Sequence, residues 1–243
     1  MSDAISVMKR YEIKYILNKE QILFLTENLK SYMEVDKYGK TSIASLYYDT
    51  SDYRLIRESV EKNNYKEKIR IRSYGLNKEG MPLYLELKRK VSGIVYKRRI
   101  ETNEREINDF FQNKSNIFAK NQIGKEITYF RDFYNSLIPA CLIIYDRVAY
   151  FEKNGDLRLT IDHNPRYRVN DLNLSTSLDG ISLLPEGYAI LEVKVQDSIP
   201  LWLCNILSKG KIYKNSFSKY GEAYKREDNK RKGKICYVWF NLW

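Results

Sequence analysis

Lys68-Ile69-Arg70-Ile71-Arg72 places a cation at every second position, with isoleucine between. A strand alternates its side chains between two faces, so this stretch has one charged face and one apolar face. The pattern returns at Tyr84-Leu85-Glu86-Leu87-Lys88, Tyr145-Asp146-Arg147, Arg158-Leu159-Thr160-Ile161-Asp162 and Leu191-Glu192-Val193-Lys194-Val195. One such strand is an ordinary sheet with a solvated side. Several, dense in Arg and Lys with a few Glu, predict a sheet curled so that its charged faces look at one another. That surface would be a basic lumen suited to a polyanion.

Outward from this core, residues 9–17 read as a first strand. Asn18, with Gln21 three residues on, predicts a capping box before a helix whose stripe is Ile22, Leu25 and Leu29. A second strand spans 42–49, and Thr50-Ser51-Asp52 opens a short helix to Glu58. Strands follow at 66–74, 83–90 and 94–101, with Ser92-Gly93 as a hairpin turn. Helical spacing covers 104–112 and 125–137, and Pro139 ends it. Strands at 141–151 and 156–162 are joined by Asn154-Gly155, a strong hairpin signal. Residues 163–187 read mainly as loop, and 188–195 as a strand. Ser198 then caps a helix with Pro200 near its start, which ends at Lys209-Gly210. Residues 216–224 read as a short helix or ordered loop. The basic run from Lys225 and the aromatic end read as a tail. No repeat or linker interrupts the chain, so one domain over 1–225 with a tail at 226–243 is expected.

Hydrophobic content of 43% and aromatic content of 14% over 243 residues favour a folded core over disorder. Lys and Arg number 42 against 31 Asp and Glu, a net charge of +11. An anionic partner follows: nucleotide, polyphosphate, nucleic acid or membrane surface. Cys141, Cys204 and Cys236 form no CxxC pair, which argues for a reducing compartment and against a disulfide framework or thiolate metal site. The first ten residues lack the apolar run of a signal peptide, and no stretch has the apolar length of a membrane span, so a cytoplasmic location is expected. GxSxG, HExxH and P-loop motifs are absent. His163, the single histidine, precedes Asn164-Pro165 and reads as a loop residue rather than a catalytic base.

The candidate lumen cations are Lys14, Lys68, Arg70, Arg72, Lys88, Lys97, Arg99, Arg147, Arg158, Lys194 and Lys219. Side chains two apart on a strand sit roughly 6.5–7 Å from one another and can hold successive phosphates. Arg grips phosphate oxygens in pairs, while Lys acts as a movable point charge. Any one of these residues reads as a solvated surface charge, but the repeated phase argues against that for the set. Glu12, Glu86, Glu192 and Asp162 share the face. Carboxylates beside phosphate-binding cations suit Mg²⁺ or Mn²⁺, with Glu192 the leading ligand, Glu86 next and Glu12 behind. The alternative for each is a simple pair with a neighbouring Lys or Arg. A base-stacking platform needs aromatics on the charged face, which carries mostly Arg, Lys and Glu, so nucleic acid is not the expected partner.

Together, Arg10-Tyr-Glu-Ile-Lys14, Ser45-Leu-Tyr-Tyr-Asp-Thr50, Glu67-Lys-Ile-Arg-Ile-Arg-Ser-Tyr-Gly75, Leu85-Glu-Leu-Lys88, Val95-Tyr-Lys-Arg-Arg99, Tyr145-Asp-Arg147, Leu191-Glu-Val-Lys194 and Ser216-Phe-Ser-Lys-Tyr-Gly221 resemble the VTC domain. This is the polyphosphate polymerase domain of the vacuolar transporter chaperone complex, also found as stand-alone bacterial proteins, among the triphosphate tunnel metalloenzymes. The resemblance runs in order over residues 9–225. It implies an α+β fold, an antiparallel β-barrel tunnel with helices packed outside. It also implies ATP-dependent transfer of the γ-phosphate onto a growing polyphosphate chain, with Mn²⁺ or Mg²⁺, releasing ADP.

By motif, Arg70, Arg72, Lys88, Arg147 and Lys219 take the catalytic places. Lys14, Lys68, Lys97, Arg99, Tyr145, Arg158, Lys194 and Ser218 bind the substrate, whether ATP, polyphosphate, triphosphate or pyrophosphate. Glu192 takes the metal-binding place by motif, and Glu86, on the same face, is the second metal candidate. Hydrolytic members resemble Glu-x-Glu-x-Lys in the first strand, where this chain has Arg10-x-Glu12-x-Lys14; losing the first carboxylate suits the polymerase branch. Eukaryotic members also carry an SPX domain and membrane spans, which this sequence does not show, so export of product would need a membrane-protein partner. The alternatives open here are a metal-dependent inorganic or nucleoside triphosphatase, a non-catalytic triphosphate- or polyphosphate-binding module, and a basic RNA-binding domain.

Overall fold

The alternating segments pair into a ten-stranded antiparallel sheet in the computed structural model, which describes residues 11–61, 63–92, 94–153 and 155–233. Arg10, Cys236, the turn residues Gly93 and Asn154 and the aromatic end of the tail lie outside these. The first half of the chain gives β1 (Tyr11–Leu17), α1 (Lys19–Leu29), β2 (Glu34–Asp49), α2 (Arg54–Val60), β3 (Tyr65–Tyr74), β4 (Leu83–Val91) and β5 (Ile94–Thr102). Then come α3 (Glu104–Phe111), α4 (Gln122–Tyr134), β6 (Ile138–Phe151), β7 (Arg158–Arg168), β8 (Ile181–Ser182) and β9 (Ala189–Val195). The chain continues through α5 (Leu201–Lys209), β10 (Lys214–Asn215) and α6 (Lys219–Arg231).

The strand order is β10-β1-β9-β7-β6-β2-β3-β4-β5, with β8 beside β7. Among the described residues no backbone pairing joins β5 to β1 or β10, so the closed barrel expected from the resemblance is corrected to an open, curled sheet. Alternation decides which face a side chain takes; it does not decide whether the end strands meet. A side-chain pair spans the gap instead: Lys88 Nζ on β4 lies 3.3 Å from Glu12 Oε2 on β1.

The apolar faces of the strands carry two cores. Ile69, Ile71, Leu85, Leu87, Leu142 and Ile144 pack against Ile107 and Phe110 of α3 and Ile127 and Phe130 of α4. Leu17, Leu159, Ile161, Leu191 and Val193 pack against Leu25 and Leu29 of α1 and Leu203 and Leu207 of α5. Each fully buried Leu or Ile contributes about 1.5–3 kcal/mol. α1 starts as its sequence predicts: Asn18 Oδ1 accepts from the Gln21 amide and Gln21 Oε1 from the Asn18 amide.

A third core departs from the expectation that every helix packs outside. Ile43, Tyr47, Cys141, Ile143 and Tyr145, on the same face as the charges, pack against Ile56 of α2 and Tyr220 and Ala223 of α6. One end of the inner face is therefore apolar and covered by two helices, and the charges are confined to the rest.

Several boundaries also shift. β2 begins at Glu34, and β7 runs on to Arg168 with β8 beside it, where loop was expected. α5 is preceded by Pro200 with no side-chain cap, so Ser198 does not cap it. α6 continues through the basic run to Arg231 because i,i+3 and i,i+4 pairs such as Lys225–Glu222 and Lys232–Asp228 support it. No helix among the described residues is long and apolar enough to cross a membrane.

Candidate functional site

Pairing turns the charged strand faces into rows, because opposed residues of an antiparallel pair point the same way. Lys68 on β3 faces Lys88 on β4, which faces Lys97 on β5. One step along, Arg70 faces Glu86, which faces Arg99. Glu86 is only 2% exposed and gathers Arg70 and Arg99 of its own row, Lys97 of the first and Arg72 one step further on. Arg70 donates from Nε at 2.9 Å and lies 2.8 Å away at Nη2. Lys97 Nζ is at 2.8 Å, Arg99 Nε at 3.4 Å and Arg72 Nη2 at 3.7 Å.

The facing wall is built on β1, β9, β7 and β6. Lys14 faces Glu192, and Glu12 faces Lys194. Lys14 Nζ lies 3.2 Å from Glu12 Oε1 and 3.4 Å from Glu192 Oε1, bridging two carboxylates. Glu192 also meets Lys194 at 3.2 Å, Arg147 at 3.5 Å and Lys219 at 3.8 Å. Arg147 and Lys219 both reach the fully buried Asp162.

Between the walls lies a cavity of about 600 Å³ lined by Lys14, Lys68, Arg70, Arg72, Lys88, Lys97, Arg147, Lys194 and Lys219, with Glu12, Glu192, Tyr47, Tyr145, Ser218 and Tyr220. The first turn of α6 forms part of it. Ser218 caps that helix through its Oγ, which accepts from the Gly221 amide at 3.2 Å, and Lys68 Nζ approaches the same oxygen at 3.3 Å. Tyr145 Oη lies 3.4 Å from Arg72 Nη2, and its ring sits beneath Lys219 and Arg147. Arg72 Nε and Ser45 Oγ are buried with no hydrogen-bond partner among the described residues. Two such orphans on opposed residues of β2 and β3 are what a polar guest or an ordered water would satisfy.

The crowding of charge shows in the proton equilibria. Burial, reinforced by Lys88, Lys14 and Arg70, pulls Lys68 down to about 7. Burial also pulls Lys97 down to about 8, against the attraction of Glu86. Burial would raise Glu12, but Lys88, Lys14 and Lys194 hold it at about 2. Burial likewise opposes ionisation of Glu86 and Glu192, and their surrounding cations outweigh it and keep both well below the usual carboxylate range. Arg72, Arg147 and Lys219 lower the Tyr145 hydroxyl despite its burial.

Two predicted substrate residues stand apart from the cavity lining. Arg158 begins β7 in the right phase, opposite Lys194, but is exposed, and its Nη1 donates to the Gly155 and Leu157 carbonyls. Arg99 reaches the site only through Glu86, and it also stacks over Tyr84 and donates to Tyr74 Oη. His163 lies in β7 opposite Ala189 and does not line the cavity. Sequence reasoning missed Tyr47 and Tyr220. The period-two run Ser45-Leu46-Tyr47 carries the signal for Tyr47, because it sets Tyr47 opposite Arg70 once β2 and β3 pair.

Oxygen donors in the lumen bear on a divalent cation. Among the described residues no group of three or more His, Cys, Asp or Glu forms a metal cluster. Glu12 and Glu192, sharing Lys14, are the pair that fits, because Mg²⁺-type ions commonly take one or two carboxylates together with substrate phosphates. Glu86 is ringed by Arg70, Arg72, Lys97 and Arg99, whose charge it already balances.

The VTC domain family model matches residues 9–227. The chain belongs to the VTC domain family. No functionally curated protein matches the sequence. Among solved structures, a provisionally named adenylate cyclase from Bacillus halodurans is similar over 87% of this chain and 96% of its own, at 16% identity and TM-score 0.54. A provisionally named adenylyl cyclase from Hippeastrum, described as having a dominant triphosphatase activity, is similar over 94% of this chain and 98% of its own, at 18% identity and TM-score 0.53. Both similarities concern the fold alone.

Proposed function

We propose that this VTC-domain protein acts on phosphate chains held in the lumen, as an ATP-dependent polyphosphate polymerase. The observation that carries the reading is the cationic cavity itself, with Lys68, Arg70 and Arg72 of β3 facing Lys14, Arg147 and Lys219 across about 600 Å³. Cations in this excess suit successive phosphates, and Arg72 Nε awaits an acceptor. Arg70, Arg72, Lys88, Arg147 and Lys219 would stabilise charge on the transferring phosphoryl group, and Lys14, Lys68, Lys97, Tyr145, Lys194 and Ser218 would hold the donor and acceptor chains in line. Arg99 would act through Glu86, and Arg158 would meet the chain only at the cavity's edge.

Glu192 with Glu12 would hold Mn²⁺ or Mg²⁺. Such an ion supplies charge neutralisation at phosphate oxygens. Glu86 would serve as counter-ion to the arginines. ATP and polyphosphate would be its partners in the cytoplasm, with a membrane protein as recipient of the product.

The second reading is a metal-dependent triphosphatase, favoured by the triphosphatase activity described for the Hippeastrum protein of similar fold. Incubation with ATP and Mn²⁺, resolved on a polyphosphate-stained gel beside a free-phosphate assay, separates the two. Long chains with ADP release support the polymerase. Free phosphate without chains supports the triphosphatase. Neither product, with tight tripolyphosphate binding, overturns both in favour of a binding module.

A further inference from the structure

The cationic side chains of the cavity stand on two kinds of element, the sheet and the first turn of α6. Their spacing depends on a buried link that bears no positive charge. Asp49, at the end of β2, is fully buried. Its Oδ1 accepts from the Thr50 and Leu55 amides, both at 2.9 Å. Its Oδ2 accepts from the Ile56 amide at 3.1 Å and from Tyr220 Oη at 2.9 Å. One carboxylate thus fixes the start of α2 and, through Tyr220, the start of α6.

The Tyr220 ring stacks on that of Tyr47, with centroids 4.7 Å apart and planes 25° apart. Tyr47 Oη accepts from Arg70 Nη1 at 2.7 Å. Glu86 holds the Nε and Nη2 edge of the same guanidinium. Arg70 is therefore gripped on two sides, and one grip leads through two rings to the helix that carries Ser218 and Lys219.

We propose that Tyr47 is a positioning residue for the substrate and that, with Tyr220 and Asp49, it sets the distance between Arg70 on the sheet and Ser218 and Lys219 on α6. This rests on the phosphate-chain reading of the cavity and adds to it a ruler for chain length. A ligand long enough to touch both sheet and helix depends on the relay. A ligand held by one of them alone does not.

Tyr47→Phe keeps the ring stack and removes the acceptor for Arg70. Tyr220→Phe keeps the stack and removes the bond to Asp49. Calorimetry with tripolyphosphate and with pyrophosphate reads the length dependence. Tyr47→Phe should weaken tripolyphosphate about tenfold and pyrophosphate by less than about threefold. The double variant should be no weaker than the weaker single variant, since both cut one chain. Equal losses for the two ligands, additive losses, or parent-like binding would overturn the relay. Tyr220→Phe alone carries the test if Tyr47→Phe does not fold.

A parent protein that binds neither ligand would sink the phosphate-chain reading, and the relay is then judged without ligand. Proton exchange at the Arg70 guanidinium, followed by ¹⁵N nuclear magnetic resonance, should quicken in Tyr47→Phe. An unchanged rate would overturn the proposal.

Discussion

Glu86 on β4 meets mostly arginine, whereas Glu192 on β9 meets mostly lysine. The arginine side is fixed: Arg70 presents its fork to Glu86, and Tyr47 holds the remaining edge. The lysine side is loose: Lys14 divides itself between Glu12 and Glu192, and Lys88 reaches across from β4 to Glu12. A guanidinium is planar and preorganised, while an ammonium is a hydrated point charge on a flexible stem. The β3–β5 wall can therefore receive a phosphate with little rearrangement. The β1–β9 wall must exchange one set of partners for another when phosphate or metal arrives. One carboxylate serves as a permanent counter-ion and the other as a group whose partners change.

The largest effect should follow damage to the fixed wall. Arg70→Ala should lower phosphoryl transfer by about a hundred- to a thousandfold, because it removes a preorganised cation from the site of developing charge. Circular dichroism should show the fold retained, since Lys97, Arg99 and Arg72 still surround Glu86. Near-parent activity would break the assignment of this wall to catalysis. Next comes Glu86→Gln, which strips the counter-ion from a buried cluster and should cost about 3 kcal/mol of stability in urea unfolding. Saturating tripolyphosphate should restore part of that loss, because an added anion replaces the missing one. A variant as stable as the parent would show that Glu86 balances nothing.

The same substitution on the loose wall should behave differently. Glu192→Gln should weaken the response to Mn²⁺ roughly ten- to a hundredfold, and activity with it, with a smaller loss of stability than Glu86→Gln. Lys14, Lys194 and Lys219 all have second partners or water to turn to: Lys14 keeps Glu12, and Lys219 keeps Asp162. An active variant that still responds to metal would remove Glu192 from the ligand set and sharpen the contrast in the opposite sense.

This contrast was only half legible in the sequence. Period-two alternation in 68–72, 84–88 and 191–195 reveals which residues share a face, because it is a local property of the chain. The row Lys68–Lys88–Lys97 depends on the register of three strands, and the Glu12–Lys88 pair on how far an open sheet curls. Neither is local. Arg158 shows the limit within one strand: its phase is right, but it stands at the first position, where the sheet no longer encloses it. The covered end of the inner face escaped for a related reason. Ile43, Cys141 and Ile143 continue the charged faces as apolar residues, and only the packing of α2 and α6 explains why.

The smallest predicted effect tests the lysine row where the two walls approach. Lys68 has Ser218 Oγ beside it and Lys88, Lys14 and Arg70 around it, and burial with those charges brings it down to about 7. In the unfolded chain its pKa is about 10.4, so between pH 7 and that value the unfolded state holds a proton the folded state lacks. The ligand-free protein should therefore gain stability as pH rises through this window, where an ordinary lysine contributes no slope. Affinity for tripolyphosphate should move the other way. A bound polyanion favours the ammonium, so binding takes up a proton, and affinity should fall about fivefold from pH 7 to pH 8. Lys68→Met should reduce both slopes, most clearly between pH 7 and pH 8, and leave the share that Lys97 contributes above about pH 8. A variant that keeps the full slopes between pH 7 and pH 8 would assign them to Lys97, lowered to about 8 beside Glu86 on the fixed wall, and not to Lys68.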